Sequence, residues 1–428
     1  MLLPFLINAV WFLCHKYNTV LRTSQVPTGR FVGRFGYYTL FLGLLQGIGL
    51  TNNDDMTLKM RTTRLITFFF RSLLWSLNLL LVLYTGLAYW LLYSLPTQHW
   101  SASMVMITLP VAWLLNLLVV CLWLTDRPWR SWLSGIVVLI GILLFGSRTF
   151  SWHQIQKFVG TSTPLKVFSY NVGGFDLEYA RVNDYPTSPR FRRIANFIVR
   201  ADASVKCFQE FWTSAELTNY DFVQRFRKAG YSYSCFSVPV NRASRGVAMG
   251  MAIFSRYPII QSGREGFNFP NGILWADIKV NNDTVRIINV HMQSMGIRLG
   301  KVLDKEEMNA VKHETRGVLS ALRNGFIRRN DQVNIVQRYI QTSPYPVIVT
   351  GDFNDTPYSV VYERMRQLLP NSFEEAGHGF GFTYNHTPSF IRIDNQFHDP
   401  RLPVLNFETI NYVTDSDHYP VAGTYVVK

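Results

Sequence analysis

Polar residues that can hold a cation or transfer a proton stand at the ends of several apolar runs in the second half of the chain. One run ends in Asn171, a second in Glu210 and a third in His291, and a fourth leads into Asp352 and Asn354. Carboxylate and amide oxygens are ligands for hard divalent cations, and imidazole exchanges protons near neutral pH. These residue types therefore favour acid–base chemistry assisted by a metal ion.

Three further residues of the same kind follow towards the C terminus. Asp394 comes directly after an apolar run, and Asp417 and His418 lie in the segment Asp415-Ser-Asp-His-Tyr-Pro420. Each of these short patterns alone is more typical of a turn or of a solvated strand end. Because the polar ends of neighbouring strands meet at one rim of a sheet, their combination in this chain order predicts a single cluster of side chains.

The elements that would position these residues are those of a mixed α/β domain. After Pro164 the sequence consists of short alternating or apolar runs separated by Gly, Pro and Asn. Two runs that alternate with period two, 275–280 and 285–290, flank a turn at 281–284 and predict a β-hairpin. Helical patterns fall at 190–201, 216–229 and 332–341. The length from 164 to 428 is sufficient for one large core.

Several of these segments, taken together, resemble a known family. They are Tyr170-Asn171, Gln209-Glu210, Gly250 to Pro258, Asn289-Val-His291, Gly351-Asp-Phe-Asn354, Ile393-Asp394 and Ser416-Asp-His418 with Pro420. The chain from about 165 to 428 is similar to the endonuclease/exonuclease/phosphatase superfamily, the deoxyribonuclease I-like phosphodiesterases. This resemblance implies an α/β fold, a four-layer sandwich of two packed mixed β-sheets flanked by helices, in which all the polar segments meet at one end.

The resemblance also implies a metal site. Glu210 is the expected principal ligand of Mg²⁺, with Mn²⁺ or Ca²⁺ as alternatives, and Asn171 and Asp417 are expected to complete the coordination directly or through water. Hydrolysis of a phosphodiester requires that charge on the phosphoryl oxygens be neutralised and that the leaving oxygen be stabilised. A hard cation held by few protein ligands meets both requirements.

The remaining site residues are assigned to the phosphate and to the transferred proton. Asp352 is expected to polarise the attacking water and Asn354 to hold the phosphate or that water. His291 and His418 are expected to flank the phosphate, and Asp394 to orient His418 as a carboxylate behind an imidazole. Whether His418 or Asp352 takes the proton is left open by the sequence.

Some positions depart from the family pattern or leave a choice. His291 places the chain nearer to the deoxyribonuclease, sphingomyelinase and inositol-phosphatase branches than to the abasic-site repair branch. Asn395 stands where the family commonly has an aromatic residue or histidine after the aspartate, which makes Asp399 a competitor of Asp394. Arg245, together with Arg242, is predicted to contact substrate at the mouth of the site, with a solvated loop as the alternative interpretation.

The first part of the chain is predicted to cross a membrane. Within residues 56–150, apolar segments at about 67–95, 104–124 and 132–148 are predicted to span the membrane, and their uncharged parts Ser72–Leu95, Met104–Leu124 and Trp132–Ser147 reach or approach the roughly 20 residues that a transmembrane helix needs. Residues 1–163 hold 12 Lys and Arg against 3 Asp and Glu, whereas residues 164–428 hold 30 against 25. The basic excess therefore accompanies the apolar segments, as in positive-inside anchoring, and is too small elsewhere to predict a DNA track.

The number of segments that cross the membrane decides the side on which the catalytic domain lies, and residues 1–55 leave that number open. Basic residues before the first and third spans place those ends inside, so three spans put the catalytic domain outside the cytoplasm of a bacterial-type inner or plasma membrane. The apolar run Phe35–Leu50 would add a fourth span and reverse this side. Residues 1–55 are also compatible with a signal-like segment, or with translation that begins at Met56 or Met60. Residues 151–163 are expected to be a linker.

The predicted function is hydrolysis of phosphodiester bonds by a membrane-anchored, metal-dependent phosphoesterase through in-line attack of water. The substrate is a nucleic acid or a phospholipid headgroup, the bilayer is the second partner, and no obligate protein partner is inferred. The alternative is an inactive membrane scaffold or binding protein that retains the fold. A transporter is disfavoured by the small number of spans. A disulfide between Cys207 and Cys235 is also open, provided that the domain faces an oxidising compartment.

Overall fold

The computed structural model describes residues 53–94, 100–154, 163–176, 187–238, 247–294, 308–386 and 388–427, without the side chains of 53–60 and 308–316. Arg242, Arg245, the run Phe35–Leu50 and nearly all of the segment 1–55 lie outside the described residues. The described chain packs as two compact units, one made of 53–75 and 119–132 and the other of 76–118 and 133–427.

In the described part of the chain, four α-helices precede the sheets. They are α1 (Asn53–Ser94), α2 (Trp100–Ile107), α3 (Leu109–Asp126) and α4 (Trp132–Thr149). Three continuous helical stretches, Arg61–Ser94, Trp100–Asp126 and Pro128–Thr149, are long and apolar enough to cross a membrane by their length and composition. They include the three predicted spans. The break between α2 and α3 falls just before Pro110, whose ring nitrogen cannot donate the next helical hydrogen bond.

The remaining helices and the strands form the C-terminal part of the second unit. The helices are α5 (Pro189–Arg200), α6 (Phe222–Lys228), α7 (Met308–Gln341), α8 (Val360–Arg366) and α9 (Ser372–Ala376). The strands are β1 (Ser151–Trp152), β2 (Thr163–Asn171), β3 (Val205–Ser214), β4 (Tyr233–Phe236), β5 (Val247–Ser255), β6 (Ile259–Gly266), β7 (Gly272–Val280), β8 (Asp283–His291), β9 (Val347–Asp352), β10 (His378–Gly379), β11 (Asp394–His398), β12 (Val404–Thr409) and β13 (Val421–Val427).

Two mixed sheets carry the domain. Their strand orders are β11-β9-β8-β7-β6 and β12-β13-β2-β3-β5-β4, and β1 pairs with β10 in a separate small sheet. In each large sheet one neighbouring pair is parallel, β8 with β9 and β2 with β3, and the other pairs are antiparallel. Strands that end at the same edge are therefore present in both sheets, as the pattern of polar residues requires.

Alternation along the strands builds the four layers. Val167 of β2 and Ile287 of β8 point between the sheets into one shared apolar core. Their neighbours point outwards: Phe168 packs in a core that includes residues of α5 and α6, and Ile288 in a core that includes residues of α7 and α8. Because side chains alternate between faces with period two, each strand serves both cores. The predicted four-layer α/β sandwich is confirmed.

The predicted hairpin and helices are found with different boundaries. β7 and β8 form the hairpin, and Asn281 takes the positive φ of 55° that its tight turn needs. The pattern at 190–201 corresponds to α5. That at 216–229 is divided, because Asp221 caps α6 and separates it from a short 3₁₀ turn. The pattern at 332–341 is only the end of α7.

The proposed disulfide is not formed. Cys207 and Cys235 are both free thiols. They lie on β3 and β4, and both are in register with Ile253 of β5, the strand between them. Two strand spacings of about 4.8 Å each separate their backbones, which exceeds the reach of a disulfide.

Candidate active site

Three of the predicted site residues occupy the last positions of strands in the two large sheets. Asn171 ends β2 of the six-stranded sheet, and His291 and Asp352 end β8 and β9 of the five-stranded sheet. His291 and Asp352 are partners in the parallel register of β8 and β9. All three side chains are buried, and a hydrogen bond from Asn171 to Asp352 joins the two sheets in the single cluster that the sequence pattern predicts.

Glu210 reaches the same place by a different route, and its expected position at a strand end is wrong. β3 continues to Ser214, and its register with β5 shifts between Phe208 and Phe211. Glu210 lies inside this irregularity with a φ of 50°, a left-handed conformation that is uncommon for a residue with a Cβ. The bulge removes Glu210 from the regular ladder, and its side chain stays 39% exposed. Backbone strain is thus stored at this carboxylate.

Asn171 joins two of the acids. Its Nδ2 donates to Glu210 Oε1 at 3.2 Å and to Asp352 Oδ2 at 3.1 Å. Its Oδ1 accepts from the backbone N–H of Gly173 at 3.1 Å. The amide therefore presents its nitrogen, not its oxygen, to the carboxylates. Ligation of a cation by Asn171 would require a half-turn of this amide.

Asp352 and Asn354 form a compact turn after β9. The backbone N–H of Asn354 donates to Asp352 Oδ1 at 2.8 Å, and Asn354 Nδ2 donates to Asp352 Oδ2 at 3.1 Å and to the carbonyl of Met292 at 2.9 Å. Asn354 has a φ of 51°, so the backbone turns here and the two side chains do not point to the same side as they would in an extended strand. Its amide holds the Asp352 carboxylate towards the histidines instead of lying parallel to it.

His418 and Asp394 are in direct contact. His418 Nδ1 lies 2.8 Å from Asp394 Oδ2, and His418 Nε2 lies 3.7 Å from Asp352 Oδ2. Asp394 begins β11 instead of ending a strand, and it faces Asp352 in antiparallel register. The competing Asp399 pairs with Arg401 at 2.6 Å on the far side of β11. Asp394 is therefore the carboxylate behind His418.

His291 completes the cluster between the acids. Its Nε2 lies 3.7 Å from both Glu210 Oε1 and Asp352 Oδ2. Burial lowers the pKa of His291, although the charge of Asp352 works in the opposite direction. A neutral His291 can still donate one hydrogen bond to an oxygen placed between these groups.

The carboxylates are short of positive partners. Burial raises the pKa of Asp352 to about 6, opposed by His418 and assisted by the charge of Asp394. Burial also raises the pKa of Glu210, against the hydrogen bond from Asn171. For His418 burial alone would lower the pKa, but the charges of Asp394 and Asp352 outweigh it and raise the pKa to about 10. His418 is therefore held as a cation between two acids.

Two hydroxyl groups that position the site were missed in the sequence. Ser416 Oγ donates to the carbonyl of Asn171 at 2.8 Å, and Thr383 Oγ1 accepts from the backbone N–H of Asp394 at 3.0 Å. Ser416 was visible only as a neighbour of Asp417. Thr383 had no signal, because one hydroxyl within an irregular segment is indistinguishable from ordinary turn chemistry.

A buried amide pair supports the site from below. Gln209 Nε2 donates to Asn289 Oδ1 at 2.6 Å, and Asn289 Nδ2 donates to the carbonyl of Phe208 at 2.9 Å. Gln209 lies on β3 and Asn289 on β8, so this pair joins the two sheets directly beneath Glu210 and His291. Separating the two amides in the core would cost free energy, because their polar atoms would lose these hydrogen bonds. The pair therefore fixes the position of β3 relative to β8.

The donor set fits a divalent cation. Ligand atoms of Asp352, Asp394 and His418 lie within 4.8 Å of one another, and all three residues are buried. Glu210 is the one carboxylate of the cluster with substantial exposure, and it shares Asn171 with Asp352. Clustered oxygen donors of one charge sign, with few balancing cations, are suited to Mg²⁺-like ions.

Sequence comparison identifies the family. The model of the Endonuclease/Exonuclease/phosphatase family matches residues 168–418, and a second model, described as a domain of unknown function, matches residues 71–148. The first match spans more than half of the chain and includes every site residue discussed above. The chain belongs to the Endonuclease/Exonuclease/phosphatase family, whose members hydrolyse phosphate esters and generally depend on a divalent metal ion. No curated protein sequence matches it.

The chain is also similar to several solved structures. An endonuclease/exonuclease/phosphatase of Beutenbergia cavernae is 16% identical, with a TM-score of 0.42, covering 62% of this chain and 72% of that one. A family protein of Bacteroides thetaiotaomicron is 19% identical, with a TM-score of 0.42, covering 63% and 100%. A mannosyl-6-phosphatase of the same organism is 19% identical, with a TM-score of 0.41, covering 61% and 100%.

Proposed function

We propose that this protein is a membrane-anchored, divalent-metal-dependent phosphoesterase that hydrolyses phosphodiester bonds. One observation carries the proposal: Asn171, Glu210, His291, Asp352 and His418, from five separate parts of the chain, lie in one chain of contacts of 3.1–3.7 Å. A scaffold would need no such convergence. Bringing these residues together stores backbone strain and unbalanced charge, and neither makes the fold more stable.

Glu210, with Asn171 and Asp417, is the proposed metal-binding set. The partly exposed Glu210 carboxylate can bind a cation without losing its place in the sheet, whereas the Asp394 carboxylate is already committed to His418. A bound Mg²⁺ would neutralise charge on the phosphoryl oxygens and stabilise the leaving oxygen. Asp417 lies within electrostatic reach of Glu210 and raises its pKa, which is the situation a cation would relieve.

The other residues are proposed to hold the phosphate and move the proton. His418, kept cationic by Asp394, donates Nε2–H to a phosphoryl oxygen on the side of Asp352. His291 donates from Nε2 to a second oxygen. Asp352, whose pKa is raised to about 6, accepts the proton of the attacking water, and Asn354 fixes the Asp352 carboxylate for this role.

Membrane anchoring is part of the proposal. Large apolar side chains of α1, α3 and α4 are exposed, among them Leu83 at 60%, Val111 at 61% and Leu143 at 76%. Such a continuous apolar surface is costly in water and suited to lipid. Three crossings with the basic ends inside would place the catalytic domain outside the cytoplasm. Labelling of a cysteine introduced into the catalytic domain, with a membrane-impermeant reagent on intact cells, tests whether the domain lies outside the cytoplasm.

α4 ends directly in the catalytic domain. Arg148 forms a buried ion pair with Glu363 at 2.6 Å, and the Thr149 and Tyr358 hydroxyls lie 2.7 Å apart. Tyr358 follows Asp352 by six residues. The end of α4 thus contacts the segment that follows Asp352 along the chain. Because this contact links a proposed membrane helix to the active site, it favours a phospholipid headgroup over a nucleic acid as substrate.

The first experiment is hydrolysis of bis-p-nitrophenyl phosphate by the full chain in detergent, with Mg²⁺, Mn²⁺, Ca²⁺ or chelator. Glu210→Gln is the test variant, and Glu216→Gln, an exposed acid six residues further along, is the matched control. Metal-dependent turnover that only E210Q loses supports the site. Equal turnover in E210Q and wild type would overturn it, and no turnover by a folded chain on the ester, DNA or lipid would favour the scaffold.

A second experiment separates the substrates. Mixed micelles of detergent with sphingomyelin, phosphatidylglycerol or phosphoinositides are compared with plasmid DNA and RNA at equal phosphate concentration. Release of a phosphorylated headgroup supports the lipid substrate. Cleavage of nucleic acid alone would contradict it and leave the reaction class unchanged.

A further inference from the structure

A second polar cavity lies among the first apolar helices, in the unit made of 53–75 and 119–132. Its volume is about 260 Å³. It is lined by Arg64, Thr67, Phe68, Arg71, Ser72, Arg127 and Arg130. Four of these seven residues carry a guanidinium group and none carries a carboxylate. The cavity is therefore strongly cationic.

The chain supplies little negative charge to balance it. Arg71 pairs with Asp126 at 2.6 Å, and both side chains are 35% exposed. Residues 1–163 contain only two other acids, Asp54 and Asp55. Four guanidinium groups thus face one described carboxylate, which leaves the cavity with an excess of positive charge that attracts an anion from outside the chain.

Arg130 is held in place before any ligand arrives. Its guanidinium carbon lies 5.4, 5.0 and 5.2 Å from the ring centres of Trp75, Trp123 and Trp129. Its Nε and Nη1 atoms are shielded from solvent and have no hydrogen-bond partner among the described residues. Three aromatic faces fix a largely desolvated cation, and such a cation attracts an anion more strongly than a hydrated side chain does.

The position of the cavity indicates the source of the anion. Its residues lie near the start of the stretch Arg61–Ser94 and at the junction between the stretches Trp100–Asp126 and Pro128–Thr149. These are the ends of three apolar helices, where lipid headgroups lie. Tryptophans at this level are typical of a membrane–water interface. Basic pockets between membrane helices bind phosphorylated headgroups.

We propose that this cavity binds the phosphate group of an anionic phospholipid. Arg64 and Arg127 supply charge from two different segments, Arg130 supplies a fixed guanidinium, and Thr67 and Ser72 line the polar wall with hydroxyl groups. Arginine is suited to this role because its planar fork binds phosphate oxygens in pairs. The site is separate from the catalytic residues and does not depend on the proposed reaction.

The test uses the full chain in nanodiscs that contain phosphatidylglycerol or phosphatidylcholine, with retained lipids counted by native mass spectrometry. The double variant Arg64→Ala/Arg127→Ala removes two lining charges. Arg61→Ala removes an exposed charge three residues earlier on the same helix and is the matched control. We expect wild type and R61A to prefer phosphatidylglycerol about tenfold, and the double variant to lose most of this preference.

The outcomes separate the proposal from its alternatives. Equal retention of both lipids by wild type, or an unchanged preference in the double variant, would overturn it. Inorganic phosphate is the second probe: competition with phosphatidylglycerol supports recognition of the phosphate group, whereas binding of phosphate without any lipid preference would contradict the lipid source. Thermal unfolding verifies that the variants fold, and Arg127→Gln alone replaces the double variant if that one does not.

Discussion

Two regions of the second unit bury charged side chains, and they do so in opposite ways. At the junction of α4 with the catalytic domain, Arg148 pairs with Glu363 at 2.6 Å and Arg366 with Glu374 at 3.0 Å. Tyr362 also donates to Glu374 at 2.8 Å. Although burial alone would raise the pKa of Glu374, Arg366 and these hydrogen bonds hold it below its usual value.

In the candidate active site, no guanidinium group among the described residues pairs with Glu210, Asp352 or Asp394. The pKa values of Glu210 and Asp352 are both raised by burial, and both carboxylates face His291 and the amide of Asn171. A buried charge with a counter-ion stabilises one arrangement of the chain, whereas a buried charge without one costs free energy in the absence of a ligand. The junction is therefore built for structure and the active site for binding and chemistry.

The largest effect is expected for Glu210→Gln. Loss of the proposed metal ligand should lower kcat/KM by about 10³-fold or more, since the cation stabilises charge in the transition state. Because burial disfavours the charged form of the Glu210 carboxylate, its replacement by a neutral amide should not lower the melting temperature. Activity assays and thermal unfolding of the same preparation test both parts. A stable, fully active E210Q would remove Glu210 from the mechanism.

Asp394→Asn should have the next largest effect. The neutral amide keeps a contact with His418 but removes the largest charge that raises the pKa of His418. We expect kcat to fall by about 10²-fold, in the range of general acid–base contributions. The alkaline limb of the pH–activity profile should move to lower pH, because His418 loses its proton earlier. An unchanged profile would show that His418 does not act as the cationic donor.

Glu363→Gln tests the junction. It leaves Arg148 buried without a counter-ion, which typically costs about 3–5 kcal/mol. We expect a clear fall in the melting temperature in detergent, with kcat/KM of the folded fraction within a few-fold of wild type. This is the reverse of the E210Q result. If E363Q lowered activity while stability was retained, the distinction between a structural and a chemical region would fail.

The smallest effect is a dependence of stability on pH, measured with chelator present. The pKa of Asp352 is about 6 in the folded chain against 3.8 normally, so between these values the folded state binds more protons than the unfolded one. This group therefore adds stability as pH falls from 7 to 5. The melting temperature of wild type relative to Asp352→Asn should rise in that interval. A constant difference would contradict the raised pKa.

Glu374 provides the opposite sign at lower pH. Its folded pKa lies below the normal 4.5, so its stabilising contribution is present above that value and is lost as pH falls through the folded pKa. Glu374→Gln should therefore be less stable than wild type at pH 7 and should lose less on acidification below pH 4.5. Thermal unfolding from pH 7 to 3 distinguishes this response from that of D352N.

The sequence predicted the parts of the site that depend on strand periodicity. Asn171, His291 and Asp352 end apolar strands, and the parallel pair of β8 and β9 places His291 beside Asp352. Asn171 joins them because the two sheets pack face to face. Glu210 was assigned to the right cluster by resemblance but to the wrong backbone position. A bulge depends on the partner strand, here β5, and no local pattern in β3 indicates it.

The junction could not be predicted for a related reason. Arg148 is the last residue of the third predicted span, and nothing in the sequence distinguishes it or Glu363 as members of an ion pair. The two residues are separated by more than two hundred positions, and their pairing depends on how α8 packs against the end of α4. Long-range ion pairs leave no periodic signal in a sequence, whereas the lengths of the apolar spans do.

The short passage from α4 into the first small sheet limits what the protein can reach. α4 ends at Thr149, β1 begins at Ser151, and Ser151 pairs with Gly379 of β10. Under the proposed membrane anchoring, this pairing so soon after α4 would hold the catalytic domain close to its own bilayer. With the proposed lipid substrate, the protein would then act on lipids of the membrane that holds it, and vesicles added from outside would remain intact until they fuse.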